Sequence, residues 1–285
     1  MIVDSHTHAW ATWPYDSTVP DPATRGSAAH LIYEMDRNGV AQALIVSARI
    51  ELNPDNNAYG AAAVARFPGR LYQVADVDCV WSPEYHTPGA VGRLEAAANR
   101  AAIKGFTHYV GDNDGWFLSE EGMGFFALAE QRGLIASLAM SPAWAADLGK
   151  VVEAHPDLVV LLHHMGGIAA RDPRQALEAV ATLAKYPNVH IKLSGFHYAV
   201  GLDAGWDYPH PAAMWIAEGL YNAFGSQRLC WGSDFPALSR AMTYRQALEI
   251  VRMHCRFFKP GDLDWILGDT LKALLDAAAP QRNAP

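Results

Sequence analysis

The chain is short of the features that would place it outside ordinary small-molecule chemistry. Its three cysteines, Cys79, Cys230 and Cys255, are odd in number and widely spaced. No C-x-x-C pair is present, so neither a disulfide framework nor a cysteine-built zinc site is expected, and the thiols should be reduced and buried. Positive charge is also scarce. Net charge is -8 and the sequence pI about 5.8, and no basic stripe offers the counterion-releasing surface that nucleic acid requires. Apolar runs are too short to span a bilayer, and the first residues lack the basic and apolar regions of a signal peptide, so a cytoplasmic protein with no membrane partner is expected. There is no Gly-x-Ser-x-Gly elbow and no phosphate loop. Gly122-Met123-Gly124 follows acidic residues and not a strand, which removes the context of a dinucleotide fingerprint.

What the chain does have is 285 residues, 51% of them hydrophobic, enough for one large core over residues 1–285. Strand-like runs fall at Ile2–His8, Ala43–Ala48, Leu71–Val77, Ala102–Thr107, Ile135–Met140, Leu158–His164, Val189–Ser194 and Leu229–Asp234. Helical patterns lie between and after them, at His30–Asn38, Asn57–Arg66, Val91–Asn99, Glu121–Arg132, Ala143–Ala154, Pro173–Lys185, Pro211–Phe224 and Thr243–Arg256. Eight strands alternating with eight helices predict an α/β fold, a single (β/α)8 TIM barrel. Pro260–Asp276 adds one C-terminal helix, and 277–285 reads as a loose tail.

Chemistry concentrates where a barrel would put it, at the C-terminal strand ends. In Asp4-Ser5-His6-Thr7-His8 the period of two sends Asp4, His6 and His8 to one face. Two neutral imidazoles on a rigid strand are a natural grip for a divalent ion. The sixth strand ends His163-His164-Met165-Gly166, the eighth Trp231-Gly232-Ser233-Asp234-Phe235-Pro236. On the seventh, Lys192 shares a face with His190 and Ser194 and points into the barrel. A buried cation there must be neutralised, by Asp4 or Asp76, or employed on a substrate carboxylate. His197 stands at the same rim. Trp10, Trp13, Tyr15, Trp116, Trp206 and Tyr208 crowd the presumed rim loops and suit a flat ring.

These motifs, with Met35-Asp36-Arg37-Asn38-Gly39-Val40, Lys192-Leu193-Ser194-Gly195 and Ile266-Leu267-Gly268-Asp269, resemble the amidohydrolase superfamily. More narrowly the chain is similar to the amidohydrolase-related branch that holds sugar lactonases and pyrone dicarboxylate lactonase. The resemblance implies a hydrolytic water held among His6, His8, His164 and Asp234, with His164 taken over His163 because it directly precedes Met-Gly. Those four residues would be both catalytic and ligands to one divalent ion, zinc by preference. Lys192, His197, Arg49, Trp10 and Tyr15 would hold a small cyclic substrate. The expected reaction is opening of a cyclic ester; non-oxidative decarboxylation of an unsaturated or aromatic acid, and a non-catalytic ligand-binding barrel, are the alternatives. Two departures stand out. The fifth strand, ending Ser137-Leu138-Ala139-Met140-Ser141, has no histidine ligand, leaving Lys104 as the nearby substitute, and the branch includes members that hydrolyse without metal. Cations for a polycarboxylate are also few: Arg49, Lys104, Arg171 and Lys192.

Overall fold

In the computed structural model, which describes residues 1–112, 114–201 and 207–278, eight parallel strands run in sequential order around a nearly closed barrel. They are β1 (Ile2–Thr7), β2 (Val40–Val46), β3 (Leu71–Asp76), β4 (Gly105–Tyr109), β5 (Ile135–Ala139), β6 (Val160–Leu162), β7 (Val189–Leu193) and β8 (Leu229–Trp231). The outer ring carries α1 (Ala28–Asn38), α2 (Asn56–Arg66), α3 (Ala90–Arg100), α4 (Glu120–Gln131), α5 (Ala145–Ala154), α6 (Pro173–Ala181), a short α7 (Phe196–Val200), α8 (Pro211–Phe224) and α9 (Tyr244–Glu249). Two further segments, α10 (Asp262–Asp264) and α11 (Thr270–Ala277), flank a π-helical turn at Trp265–Asp269. This is the (β/α)8 architecture expected.

Alternation along the strands divides the core. Outward residues such as Ile45, Phe106, Ile191 and Leu193 meet the helices in one continuous apolar cluster. Inward residues Val3, Leu44, Val46, Val74, Ile135, Leu161 and Cys230 form a second cluster, closed by Leu271 and Leu275 of α11. The last helix therefore plugs the N-terminal end of the barrel, and polar chemistry is left to the other end. The three cysteines are free and buried. Among the described residues no helix is long and apolar enough to cross a membrane.

Boundaries differ from expectation mainly where rim residues were counted as strand. β6 stops at Leu162 and β8 at Trp231, because His164 and Asp234 turn into left-handed backbone, with φ of 45° and 66°. The helix expected at Thr243–Arg256 divides into α9 and a π-helical turn at Ile250–His254. α7 was not anticipated; its apolar content is too short to carry a helical period. The proposed tail lies outside the described residues except for Ala277, which ends α11, and Ala278. Trp206 also lies outside them.

Candidate active site

Strands β1, β6, β7 and β8 deliver their ends to one point. His6 and His8 bring their Nε2 atoms to 3.3 Å, although the β1–β2 register shifts between Asp4 and Thr7. Asp4 does not join them, contrary to the simple alternation. Its carboxylate accepts from the Ser233 amide at 2.9 Å and the Tyr244 hydroxyl at 2.7 Å, so it stitches β1 to the β8 loop. The Asp234 amide in turn donates to the His6 carbonyl at 2.8 Å. These bonds bring the two ends of the sheet together where few ladder bonds join β1 to β8.

Asp234 occupies the centre. Its Oδ1 lies 3.5 Å from His6 Nε2, 3.6 Å from His8 Nε2 and 3.9 Å from His164 Nε2, while Oδ2 faces His197 Nε2 at 3.7 Å. Neither oxygen has a hydrogen-bond partner among the described residues, although the side chain is buried. The rings are held from behind: His8 Nδ1 donates to the Val46 carbonyl at 2.7 Å, and His164 Nδ1 pairs with Ser194 Oγ at 3.0 Å. Gly195 permits this packing, since a Cβ there would stand 2.6 Å from His164 Nδ1 and its φ is 66°.

Electrostatics sharpen the picture. Burial, reinforced by Lys192, depresses His6 well below the ordinary imidazole value, and burial brings His164 and His197 down to about 4, so all three are uncharged at neutral pH. Burial alone would raise Asp234, but His164, His8 and His197 would take up positive charge beside it as pH falls and so keep it below the usual carboxylate value, and at neutral pH it is ionised. A buried carboxylate without a hydrogen bond or a paired cation is costly. A divalent ion would remove that cost. Around zinc with bonds of about 2.0–2.1 Å, tetrahedral donors stand roughly 3.3–3.4 Å apart, close to the 3.3–3.6 Å separations of His6, His8 and Asp234. The donor set fits such an ion. A second possible trio, His6, His163 and His164, shares His6 with the first.

Other expected residues are sorted by the fold. Trp10 stacks on His8 at 4.6 Å, and Tyr15 meets Trp10 edge-on; both line a cavity of about 260 Å³ above Asp234, with Trp81, Tyr109, His164 and Tyr198. Trp13 supports Tyr15 from behind. Trp116 stacks on His86 at 4.3 Å, and Tyr208 lines a separate cavity beside Arg240. Arg49 does not reach the site: its Nε donates to the Pro54 carbonyl, and its side chain lines a cleft beside α2. Lys104 begins at the opposite barrel end, beside Tyr72, where its ammonium donates to the Ala278 carbonyl, so it cannot replace the missing ligand.

Lys192 points inward as expected, but it is fully buried and its partner is neither Asp4 nor Asp76. Its ammonium donates to Ser137 Oγ at 2.7 Å and stands 3.3 Å from His6 Nδ1; Ser137 Oγ also lies 2.6 Å from His163 Nε2. Burial lowers the amine to about 7. Lys192 therefore lies against His6 and Ser137 and does not line the cavity above Asp234. Ser137 thus sits on the fifth strand where a histidine was sought. His163, set aside in favour of His164, packs on His6 at 4.5 Å. Tyr198, Trp81, Tyr109 and Arg240 were not singled out. Tyr198 follows His197 directly and Arg240 lies six residues beyond Asp234, so proximity to those motifs was the available signal.

Residues 3–276 match the family model described as amidohydrolase. The chain belongs to the amidohydrolase family. An L-fucono-1,5-lactonase from Burkholderia ambifaria is 31% identical over 119 residues, 40% of this chain and 35% of that protein, so the match spans about a third of the relative. In structure the chain is similar to a zinc-bound amidohydrolase from Burkholderia multivorans (TM-score 0.79, 19% identity, 97% of this chain and 99% of that one). It is also similar to a probable 2-pyrone-4,6-dicarboxylic acid hydrolase from Acinetobacter baumannii with citric acid bound (0.74, 20%, 96% and 99%). A 2,6-dihydroxybenzoate decarboxylase from Rhizobium shares the fold as well (0.68, 15%, 96% and 98%).

Proposed function

We propose that this amidohydrolase opens a cyclic ester by attack of an activated water. The observation that carries the reading is the Asp234 carboxylate, buried, ionised and without a hydrogen-bond partner among the described residues, facing four imidazoles at the floor of an aromatic-lined cavity. Its two oxygens have different surroundings. Oδ1 belongs with His6, His8 and His164, the donors that would hold a divalent ion such as zinc; Oδ2 faces His197 and is left to handle a proton. A bound ion would supply Lewis acidity toward the carbonyl and lower the pKa of a water.

The chain's own groups account for the remaining steps. Asp234 takes the proton of the attacking water as the new C–O bond forms, and returns it to the ring oxygen as the ester C–O bond breaks. His197, uncharged, holds Oδ2 on the substrate side. Trp10, Tyr15 and Trp81 present ring faces and edges to a cyclic substrate and displace water from it. No lysine or arginine lines the cavity among the described residues, which disfavours a substrate with several carboxylates. The sequence similarity to a lactonase supports this reading over decarboxylation, as does the reaction's demand: an ester already has a leaving group, whereas decarboxylation must stabilise a carbanion. A panel of sugar lactones, muconolactones and pyrone carboxylates, followed by pH indicator and by carbon dioxide release, tests it. Proton release that requires His6 and Asp234 is expected; carbon dioxide formation with no ring opening would replace this reading with the decarboxylase one.

A further inference from the structure

Tyr198 stands at the cavity wall with its ring 5.2 Å from that of His164 and 4.1 Å from that of His197. Its position follows from the chain: β7 ends, Gly195 turns the backbone, and the Tyr198 amide bonds back to the Gly195 carbonyl at 2.9 Å to begin α7. Arg240 reaches it from the loop after β8. The guanidinium Nη2 donates to the Tyr198 hydroxyl oxygen at 3.0 Å, Nε donates to the Ala237 carbonyl, and the group lies 4.2 Å above the Tyr15 ring. Arginine has donors only, so in this bond the phenol oxygen is the acceptor. The one phenolic proton is then turned away from Arg240, to the side of the Asp234 carboxylate, and burial together with that carboxylate holds the phenol above its ordinary value, so it stays protonated. The proton belongs to a group walled by His164 and His197 on the catalytic side, with a cation behind the oxygen that strengthens it as a donor.

We infer that Tyr198 is a catalytic residue that donates its hydroxyl proton in a hydrogen bond to the lactone carbonyl oxygen as that oxygen becomes negative, and that Arg240 is the residue that positions and polarises it. The assignment rests on the lactonase reading above. In the balanced step, water oxygen bonds to the carbonyl carbon, its proton passes to Asp234, and the carbonyl π pair moves onto oxygen, where the phenol meets it without giving up its proton. When the pair returns, the ring C–O bond breaks and Asp234 protonates the departing oxygen. The fifth strand supplies no histidine at this rim, and the phenol is a donor from α7, just past the seventh strand.

Removing one oxyanion donor costs about 10²- to 10³-fold in kcat. Tyr198→Phe, which keeps the ring and its packing, should therefore lower kcat about 10²-fold with KM changed less than about threefold. Arg240→Gln should fall between wild type and Tyr198→Phe, and Arg240→Lys should recover part of the loss. A cyclic phosphonate, which copies the charged tetrahedral centre, should lose affinity in Tyr198→Phe in proportion to kcat, while the corresponding neutral lactam should not. A merely structural tyrosine would not split the two ligands. If the wild type opens lactones and Tyr198→Phe keeps kcat within about threefold with unchanged phosphonate affinity, the Tyr198 assignment is wrong and the lactonase reading stands. If the wild type opens no lactone, both fall.

Discussion

At the scale of single residues, Asp234 joins a strained backbone to the chemistry proposed for the site. It is buried, its carboxylate has no hydrogen-bond partner among the described residues, and its backbone is left-handed, a conformation that costs a non-glycine residue about 1–3 kcal/mol. Such costs persist where the surroundings hold a group in place for use. Asp234→Asn keeps the shape but cannot take a proton, so kcat should drop about 10²- to 10⁴-fold while substrate affinity changes little. Steady-state kinetics with binding measured separately checks this; equal, small changes in both would place the base elsewhere. The ion makes a second residue-scale expectation. Because the two possible donor trios share His6, elemental analysis should find no more than one tightly held divalent ion per chain, and two would show that the trios act independently.

At the scale of elements, the site depends on how strands end. β6 stops in consecutive left-handed residues His164, Met165, Gly166 and Gly167, and β7 stops at Gly195. These turns point His164 across the barrel mouth and leave room for its ring. Gly195→Ala would force a Cβ to within 2.6 Å of His164 Nδ1, on a backbone that an L residue enters at a cost of about 1–2 kcal/mol. The expected outcome is a stability loss of at least about 1 kcal/mol by denaturant titration, with ion affinity weakened further because one proposed ligand is displaced. Wild-type stability and affinity together would mean that the His164 ring is free to move. Lys192, Ser137 and His163 are linked beside His6, an arrangement across three strands that no local pattern announces.

At the scale of the whole molecule, burial of uncharged imidazoles sets a pH dependence. Away from the site, burial depresses His108 to about 3 and His190 to about 4, against about 6.5 in an unfolded chain. Both are lowered, so between the folded and unfolded values the unfolded chain binds more protons. Their contribution to stability is complete above about pH 6.5. It is lost as pH falls, through about 4 for His190 and about 3 for His108, with a slope of up to about 1.4 kcal/mol per pH unit for each ring. Denaturant titrations from pH 7 to pH 4 should show this decline, and His190→Gln should flatten it by one proton. An unchanged slope in that variant would mean that His190 is protonated in the fold.

The fold was largely legible in the chain because its determinants are local and repeated. Eight apolar runs spaced by helical patterns leave few ways to bury both faces of the strands, and a closed parallel barrel is one of them. His6, His8, His164 and Asp234 were legible for the same reason: each ends or follows a strand, and the fold gathers those ends. What the sequence could not decide is how side chains meet across the mouth. Whether Lys192 pairs with an acid or with Ser137, whether Arg49 and Lys104 reach the rim, and which tyrosine Arg240 meets depend on β1 register, left-handed turns and helix placement. Those distances join residues far apart in the chain, up to 240 positions between Asp4 and Tyr244. Periodicity assigns a residue to a face; only tertiary packing assigns it a partner.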